Sequence, residues 1–545
     1  MTPRRTPSPP PTSPRRPLPP GHFLALPPSF SQSTASFPSG VPSTSSHVSN
    51  GLAPNVASLA SADFEVDVRT GFLPGKNNIE RLGGEWTVWE EALDAARGTA
   101  PGQGLRIGGG RQQDELWRQG IEMMPIVDTA GLCVSLPLLR RAHVVLVFLA
   151  HFYAHTTAPT PAPRNHPINI PPSISIPLLT ISPLLGLPPV ATYADTVLYN
   201  VLPLDPSREL SLPSNPPATC LASFTGTRSE EHFYVISAIC EIAGAEALRL
   251  MRQSLDELFL ADEVAIRRLT IYLRKLATQI DRIADITMTM LKEVDPEDFY
   301  HLIRPWFRGG DADGPESAGW IYQGLDEQAA SSAENPVERA ENKGRMFSGP
   351  SAGQSSLIHA IDIFLTVDHS PTPEEDETSL KLDHEPVTSP SATPSPSRSN
   401  EATFVQRMLQ YMPLPHRTFL LHLSTHPTPL RQLVVHSAQS HPQLAEAYDT
   451  ALEALKRFRE RHFRIVSVFI VQQARRQPSL RVRRLLGTAG EDEEIEQQEE
   501  AESAVALGEI RGTGGTPLFK FLRRCRDNTT KAMIGKPVGP HFDLQ

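Results

Sequence analysis

Cysteine is scarce. The chain has four in 545 residues, and Cys133, Cys220, Cys240 and Cys525 stand far apart with no C-x-x-C spacing. That argues against a disulfide framework or a thiolate zinc site and points to a reducing compartment. Excess positive charge is lacking too: 51 basic against 61 acidic side chains leave a formal charge of −10. A mildly acidic chain has no general attraction for nucleic acid or anionic membranes. Long apolar runs are also missing. The most apolar stretch, residues 144–150, lies between His143 and His151 behind Arg140 and Arg141. It falls well short of the roughly 20 residues that cross a bilayer, so no membrane span is expected. The glycines of Ile107-Gly108-Gly109-Gly110 are not followed by Lys-Ser or Lys-Thr. They read as a flexible linker rather than a phosphate loop.

Proline, by contrast, is abundant: 53 residues, about twice average usage. Residues 1–62 are rich in Pro, Ser and Thr and are expected to form a disordered tail. The tail has arginines and no acid up to residue 60, like a mitochondrial transit peptide, but its prolines would break the amphipathic helix such peptides form. A cytoplasmic protein is therefore expected. P-x-x-P spacings in the tail suit SH3-type modules, but plain disorder is the preferred reading. A second low-complexity segment, about 371–400, is acidic and Pro/Ser/Thr-rich. A third, about 477–511, runs from the basic 481–484 into the acidic 491–502. It is expected to be a hinge loop, its opposite charges able to fold back on each other.

Elsewhere the pattern is helical. Helices are predicted to begin near Trp86, to cover 138–153, to begin again at Pro189, and to form short pieces at 406–412 and 429–435. Residues 156–172 read as a proline-rich loop. Residues 233–291 form the longest helical region, and a break is predicted near Ala261-Asp262. Period-two alternation is scarce, so the fold class is all-α. Residues 448–476 carry Leu452, Leu455, Phe458, Ile465, Val466 and Phe469 at three- and four-residue spacing, which is one buried stripe of a helix. His462 falls on that stripe. A histidine there is either hydrogen-bonded to core groups or bound to a metal.

Four further blocks surround it. They are Leu187-Pro-Pro-Val-Ala-Thr-Tyr193-Ala-Asp195-Thr196-Val197-Leu198, then Asp298-Phe299-Tyr300-His301-Leu302-Ile303-Arg304-Pro305, then Ser351-Ala352-Gly353-Gln354-Ser355-Ser356 running into Asp362, and finally Gly512-Thr513-Gly514-Gly515-Thr516. In this order, with a helical histidine between the last two, they resemble the indoleamine 2,3-dioxygenase family, its fungal branch in particular, from about Phe64 to Ile534. The resemblance implies a small N-terminal helical domain, 63–200, and a larger helical haem-binding domain, 201–545. It implies haem b as cofactor, O2 as co-substrate, and L-tryptophan or a related indoleamine as substrate, opened to N-formylkynurenine. A monomer with no nucleic-acid or membrane partner is expected.

The resemblance also implies roles. His462 matches the proximal iron ligand. Arg459, one turn earlier, matches an arginine that pairs with the residue at Asp362; without the motif both would read as surface charges. Arg304 matches the carboxylate anchor, its planar fork suited to two hydrogen bonds. Phe299 and Tyr300 are expected beside it. Tyr193, Thr196 and Val197 match the indole slot, and Phe233 and Ser237 the distal wall. Ser237 either bonds oxygen or substrate, or simply lets helices approach. Ser351 and Ala352 match a turn over the haem edge, and Thr513 a residue that closes over substrate. Three departures stand out. Gly349-Pro350 replaces the usual Gly-Gly, Tyr153-Ala154-His155-Thr156 replaces Tyr-Val-Trp-Gly, and Val201 replaces an expected tryptophan. They leave open a haem-binding relative with little turnover. A helical interaction protein without haem is the remaining alternative.

Overall fold

A computed structural model describes residues 64–157, 167–312, 317–324, 344–369, 404–427, 429–488 and 518–535. The proline-rich tail, the insertion 371–400, the acidic run 491–502 and the loop carrying Thr513 lie outside the described residues. The described residues are predominantly helical: α1 Thr87–Arg97, α2 Gln112–Met123, α3 Leu136–His155, α4 Pro172–Leu185, α5 Arg228–Leu260, α6 Glu263–Met288, α7 Ser356–Phe364, α8 Leu414–Ser424, α9 Leu430–Ser437, α10 Pro442–Val466, α11 Leu480–Leu486 and α12 Leu518–Lys531.

The break in the long helical region falls where the sequence places it. Ala261 closes α5 in the left-handed conformation, φ 49°. The Asp262 carboxylate then caps α6, accepting from the N–H groups of Val264 and Ala265 at 2.9 and 2.8 Å. Such a cap satisfies amides that a helix start leaves orphaned. α6 packs most extensively between α5 and α10. Leu269, Leu273, Leu276 and Ile280 of α6 are buried with Leu248 and Met251 of α5 and Leu452 and Leu455 of α10. Arg457 of α10 grips Asp281 of α6 with two hydrogen bonds, 3.0 and 2.6 Å, at the rim of this core. A second core gathers mostly residues before 200 around α3, α4 and α1, among them Trp89, Leu93, Val145, Phe148, Ile174 and Leu178.

Four expectations need correction. Residues 156–172 are not all loop: Ile168–Ile170 pairs in parallel with Trp320–Tyr322, a contact between segments far apart in sequence. The helix expected from Pro189 is one π turn, Ala194–Leu198, and the real helix precedes it as α4. Pro177 and Pro183 inside α4 disguise it. Ile174, Leu178, Ile181 and Leu185 nevertheless keep a helical stripe, and burying it outweighs the lost backbone bonds. The basic start of the third insertion is α11, not hinge. Arg481 reaches back to Asp295 at 2.9 Å and Asp298 at 2.7 Å. Finally, α3 has the length and composition of a membrane span, unlike the shorter run read from the sequence. However, 83% of its most apolar window is buried, so it is a core helix.

Candidate active site

A cavity of about 300 Å³ lies between α5, α6, α7, α10, α12 and the Ala194–Leu198 turn. α10 supplies Phe458 and His462. Both continue the buried stripe but are only half-buried, because they face the cavity instead of other side chains. Burial alone pushes the His462 pKa down to about 4, with no hydrogen bond or charge among the described residues acting on it. Its imidazole is therefore neutral at pH 7 with a lone pair to offer.

One turn earlier on α10, Arg459 Nη2 donates to Asp362 Oδ1 at 2.5 Å, both side chains about nine-tenths buried. Arg459 Nη1 donates to the Cys525 carbonyl of α12 at 3.0 Å. His369 Nε2 lies 3.1 Å from the other carboxylate oxygen. Burial would raise the Asp362 pKa, but the Arg459 charge and the His369 bond outweigh it and leave it below the ordinary value. Because the folded pKa is depressed, this stabilisation is present above the ordinary carboxylate pKa and is lost as pH falls through the folded value. The pair joins α7, α10 and α12, and Tyr448 adds a second tie by donating to the Leu365 carbonyl at 2.7 Å. Replacing Asp362 with alanine leaves Arg459 buried without its carboxylate. Equilibrium urea unfolding is expected to show a loss of about 3–5 kcal/mol. The double variant Asp362→Leu, Arg459→Met should recover much of it.

The other predicted residues converge on the same space. Phe233 and Ser237, four apart on α5, both line the cavity. The Ser237 hydroxyl donates to the Phe233 carbonyl at 2.9 Å, so its lone pairs remain available while its proton serves the helix. Phe233 packs on Phe299 with ring centroids 4.9 Å apart. Phe299 lies in a π-helical turn, Asp298–Ile303, and Arg304 directly follows it; both line the cavity. A five-residue offset is one such turn, which puts both on one side. Tyr300 is turned away and is not part of the wall; its ring lies under the Arg304 guanidinium at 5.6 Å. Tyr193, Thr196 and Val197 line the cavity from the short turn, and Ser351 and Ala352 close another side.

That last wall needs its glycine. A Cβ on Gly349 would stand 1.7 Å from the Phe307 carbonyl oxygen, a backbone atom that cannot step aside. Gly349→Ala should cost at least about 1–3 kcal/mol in thermal or urea unfolding and displace Pro350, which also lines the cavity. Gly349-Pro350-Ser351-Ala352-Gly353 also spells the Gly-x-Ser-x-Gly pattern of hydrolase elbows. The context is wrong for one: a one-turn helix follows, and Ser351 Oγ accepts from the Gly353 N–H. A Ser-His-Asp array does exist away from the cavity. His143 lies 3.1 Å from Ser182 Oγ and 2.6 Å from Asp195 Oδ1. All three are buried in the core, where no substrate reaches. Asp195 also accepts from the Thr192 N–H and hydroxyl, which fixes the turn that carries Tyr193, Thr196 and Val197.

Sequence reasoning missed several wall residues: Glu241, Ser355, His359 and His369. Glu241 had a readable signal, since it follows Ser237 by four residues in the otherwise apolar Ile-Cys-Glu-Ile-Ala-Gly-Ala. His359 lies with Nε2 2.8 Å from the Gly353 carbonyl, and burial lowers its pKa.

The fold and site define a helical protein whose mostly apolar cavity carries, among aromatic rings, the His462 imidazole held by no hydrogen bond among the described residues, with an arginine–aspartate brace one turn away. Residues 60–532 match the family model for indoleamine 2,3-dioxygenase, and the chain belongs to that family. It is 30% identical to an indoleamine 2,3-dioxygenase of Saccharomyces cerevisiae, over 77% of this chain and 83% of that one. It is 27% identical to indoleamine 2,3-dioxygenase 1 of Mus musculus, over 77% and 86%. It is also 27% identical to a 6-hydroxytryptophan 2,3-dioxygenase of Fusarium equiseti, over 86% and 97%. Fungal and mammalian relatives thus stand at similar distances, and the comparisons single out no branch.

Proposed function

We propose that this chain is a haem-dependent dioxygenase that opens the pyrrole ring of L-tryptophan with O2, giving N-formylkynurenine at the head of the kynurenine route to NAD. The observation that carries the reading is the neutral His462 imidazole, without a hydrogen bond among the described residues, on the wall of a mostly apolar cavity. The residues fit a haem. Among the described residues no three His, Cys, Asp or Glu side chains gather to hold a bare metal ion. A porphyrin brings its own four nitrogens and asks the protein for one more. When bound, the haem supplies the iron that activates O2.

The chain's own residues do the rest. Arg304 holds the substrate carboxylate, and Phe233, Phe299 and Tyr193 form the slot for the indole. Indole is electron-rich, so no protein base has to remove its N–H, and none is assigned. Ser237 offers lone pairs to oxygen or substrate. The Arg459–Asp362 pair holds α10, and so His462, in place. Thr513 is proposed to close over the substrate. The reading also includes a cytoplasmic monomer, related indoleamines as further substrates, and a division into domains 63–200 and 201–545. Membership of the fungal branch belongs here too, on the sequence blocks alone.

The test is the haem absorption spectrum of the chain expressed with haem supply, followed by a N-formylkynurenine assay under reducing conditions. Haem and product together support the reading. Haem without product favours a relative of low turnover, the second reading, which the buried Pro350 in the cavity wall supports. No haem sinks both.

A further inference from the structure

Glu241 is a buried acid that nothing so far explains. It sits on α5 one turn beyond Ser237, lines the cavity and is 2% exposed. Its two oxygens are treated unequally. Oε1 accepts the Tyr193 hydroxyl at 3.0 Å and the Ser355 hydroxyl at 2.6 Å. Oε2 meets no hydrogen-bond partner among the described residues. An ionised carboxylate spreads its charge over both oxygens and would leave half of it bare against an apolar wall, which burial penalises. A neutral carboxylic acid has no such difficulty: its carbonyl oxygen takes the two hydroxyl hydrogens and its proton rides on the other oxygen. Then the unmet group is a donor, and it sits where a bound molecule would be.

We propose that Glu241 is a neutral acid on the acid side of neutrality and that its Oε2–H then donates to an acceptor, of carboxylate type, on the molecule that fills the cavity. Two sources present that chemistry: a propionate of a bound porphyrin and the carboxylate of an indole amino acid. Identifying the occupant rests on the haem-dioxygenase reading; the protonation state of Glu241 does not. Burial supports that state by raising the Glu241 pKa to about 7, against the two hydroxyl bonds that lower it. Its titratable neighbours stay protonated through this range: burial raises Tyr193 well above its ordinary value and Cys240 of α5 to about 12. The other titratable or charged groups lining the cavity are His359, Asp362 and His369 of the α7 segment, Arg459 and His462 of α10, Cys525 of α12, and Arg304. Above its pKa Glu241 loses the donor and gains a charge that repels a carboxylate. Affinity for the occupant therefore falls as pH rises through about 7.

The test uses the full chain as wild type, Glu241→Gln and Glu241→Ala. Infrared difference spectra of the haem-free protein, taken across neutral pH, should show a protonated-carboxyl C=O band that bleaches as pH rises and is missing in Glu241→Gln. Absence of that band from wild type overturns the proposal whatever haem does. The loaded protein is then followed from acid to alkaline pH by haemin transfer to apomyoglobin and by the spectral shift on titrating L-tryptophan. Faster haemin loss at high pH in wild type, flat in Glu241→Gln, assigns the donor to the porphyrin. A rising tryptophan Kd with the same contrast assigns it to the substrate. Glutamine keeps an acceptor for Tyr193 and Ser355 and a donor on the other atom, so it should hold the low-pH behaviour throughout, while alanine should bind several-fold more weakly below pH 7. Identical pH profiles in wild type and Glu241→Gln would refute the donor role. Failure of wild type to take up haemin at all would count against the haem reading and leave the infrared result standing.

Discussion

His462→Ala should abolish the haem absorption spectrum while leaving the haem-free protein as stable as wild type or slightly more so. The two halves of this expectation separate a ligand from a structural histidine. A core imidazole held by hydrogen bonds contributes to folding, and removing it leaves its partners stranded at about 1–3 kcal/mol each. His462 strands no partner among the described residues, and burial alone accounts for its pKa near 4. Its nitrogen gains nothing until a ligand arrives, so the haem-free fold should not miss it. Haem affinity should fall by more than the roughly 10- to 100-fold that changes behind a metal ligand typically cost. Added imidazole should restore part of the spectrum by occupying the space the side chain vacates. A variant that binds haem normally, or one that unfolds before any haem is added, would remove His462 from this role.

The histidine was legible because a 25-residue helix carries it, Pro442–Val466. Apolar residues repeating over so many turns leave one way to orient the helix, and a polar residue on the inner face is conspicuous. The α5–α6 break was legible for a similar reason, since Asp262 is a strong local cap. What stayed hidden depends on partners distant in sequence. Ile168–Ile170 becomes a strand only because Trp320–Tyr322 lies beside it. α4 hides behind two prolines that local propensity counts heavily and tertiary burial overrides. The resemblance implies Tyr300 beside Phe299 at the pocket, whereas Phe299 and Arg304 line the cavity and Tyr300 does not. Glu241 joins the site through Ser355 on a distant segment, a contact that its spacing from Ser237 does not encode. The Arg459–Asp362 pair expected from the resemblance is present, whereas its further ties to His369 and to the Cys525 carbonyl were not readable.

Arg304→Ala is expected to keep haem and lose turnover, and the pattern of the loss across substrates identifies the role. The guanidinium is largely buried on the cavity wall, and burial pulls its pKa below the ordinary value, yet arginine remains charged there. A substrate carboxylate that forms two charge-assisted hydrogen bonds to it loses about 2–5 kcal/mol when the fork is removed, or roughly 30- to 5,000-fold in kcat/KM for L-tryptophan. Tryptamine carries the same indole and amine but no carboxylate. It should be a poor substrate of the wild type and be turned over nearly as well by the variant, so the ratio between the two substrates collapses towards one. Arg304→Lys should recover only part of the tryptophan activity, because an ammonium supplies the charge without the planar pair of donors. Loss of the stacking over Tyr300 predicts the opposite signature: if its role were only to pack that ring, both substrates would suffer equally and the absorption spectrum would shift as the wall moved. Equal losses for tryptophan and tryptamine would therefore make Arg304 part of the frame and leave the carboxylate anchor to another cation of the cavity.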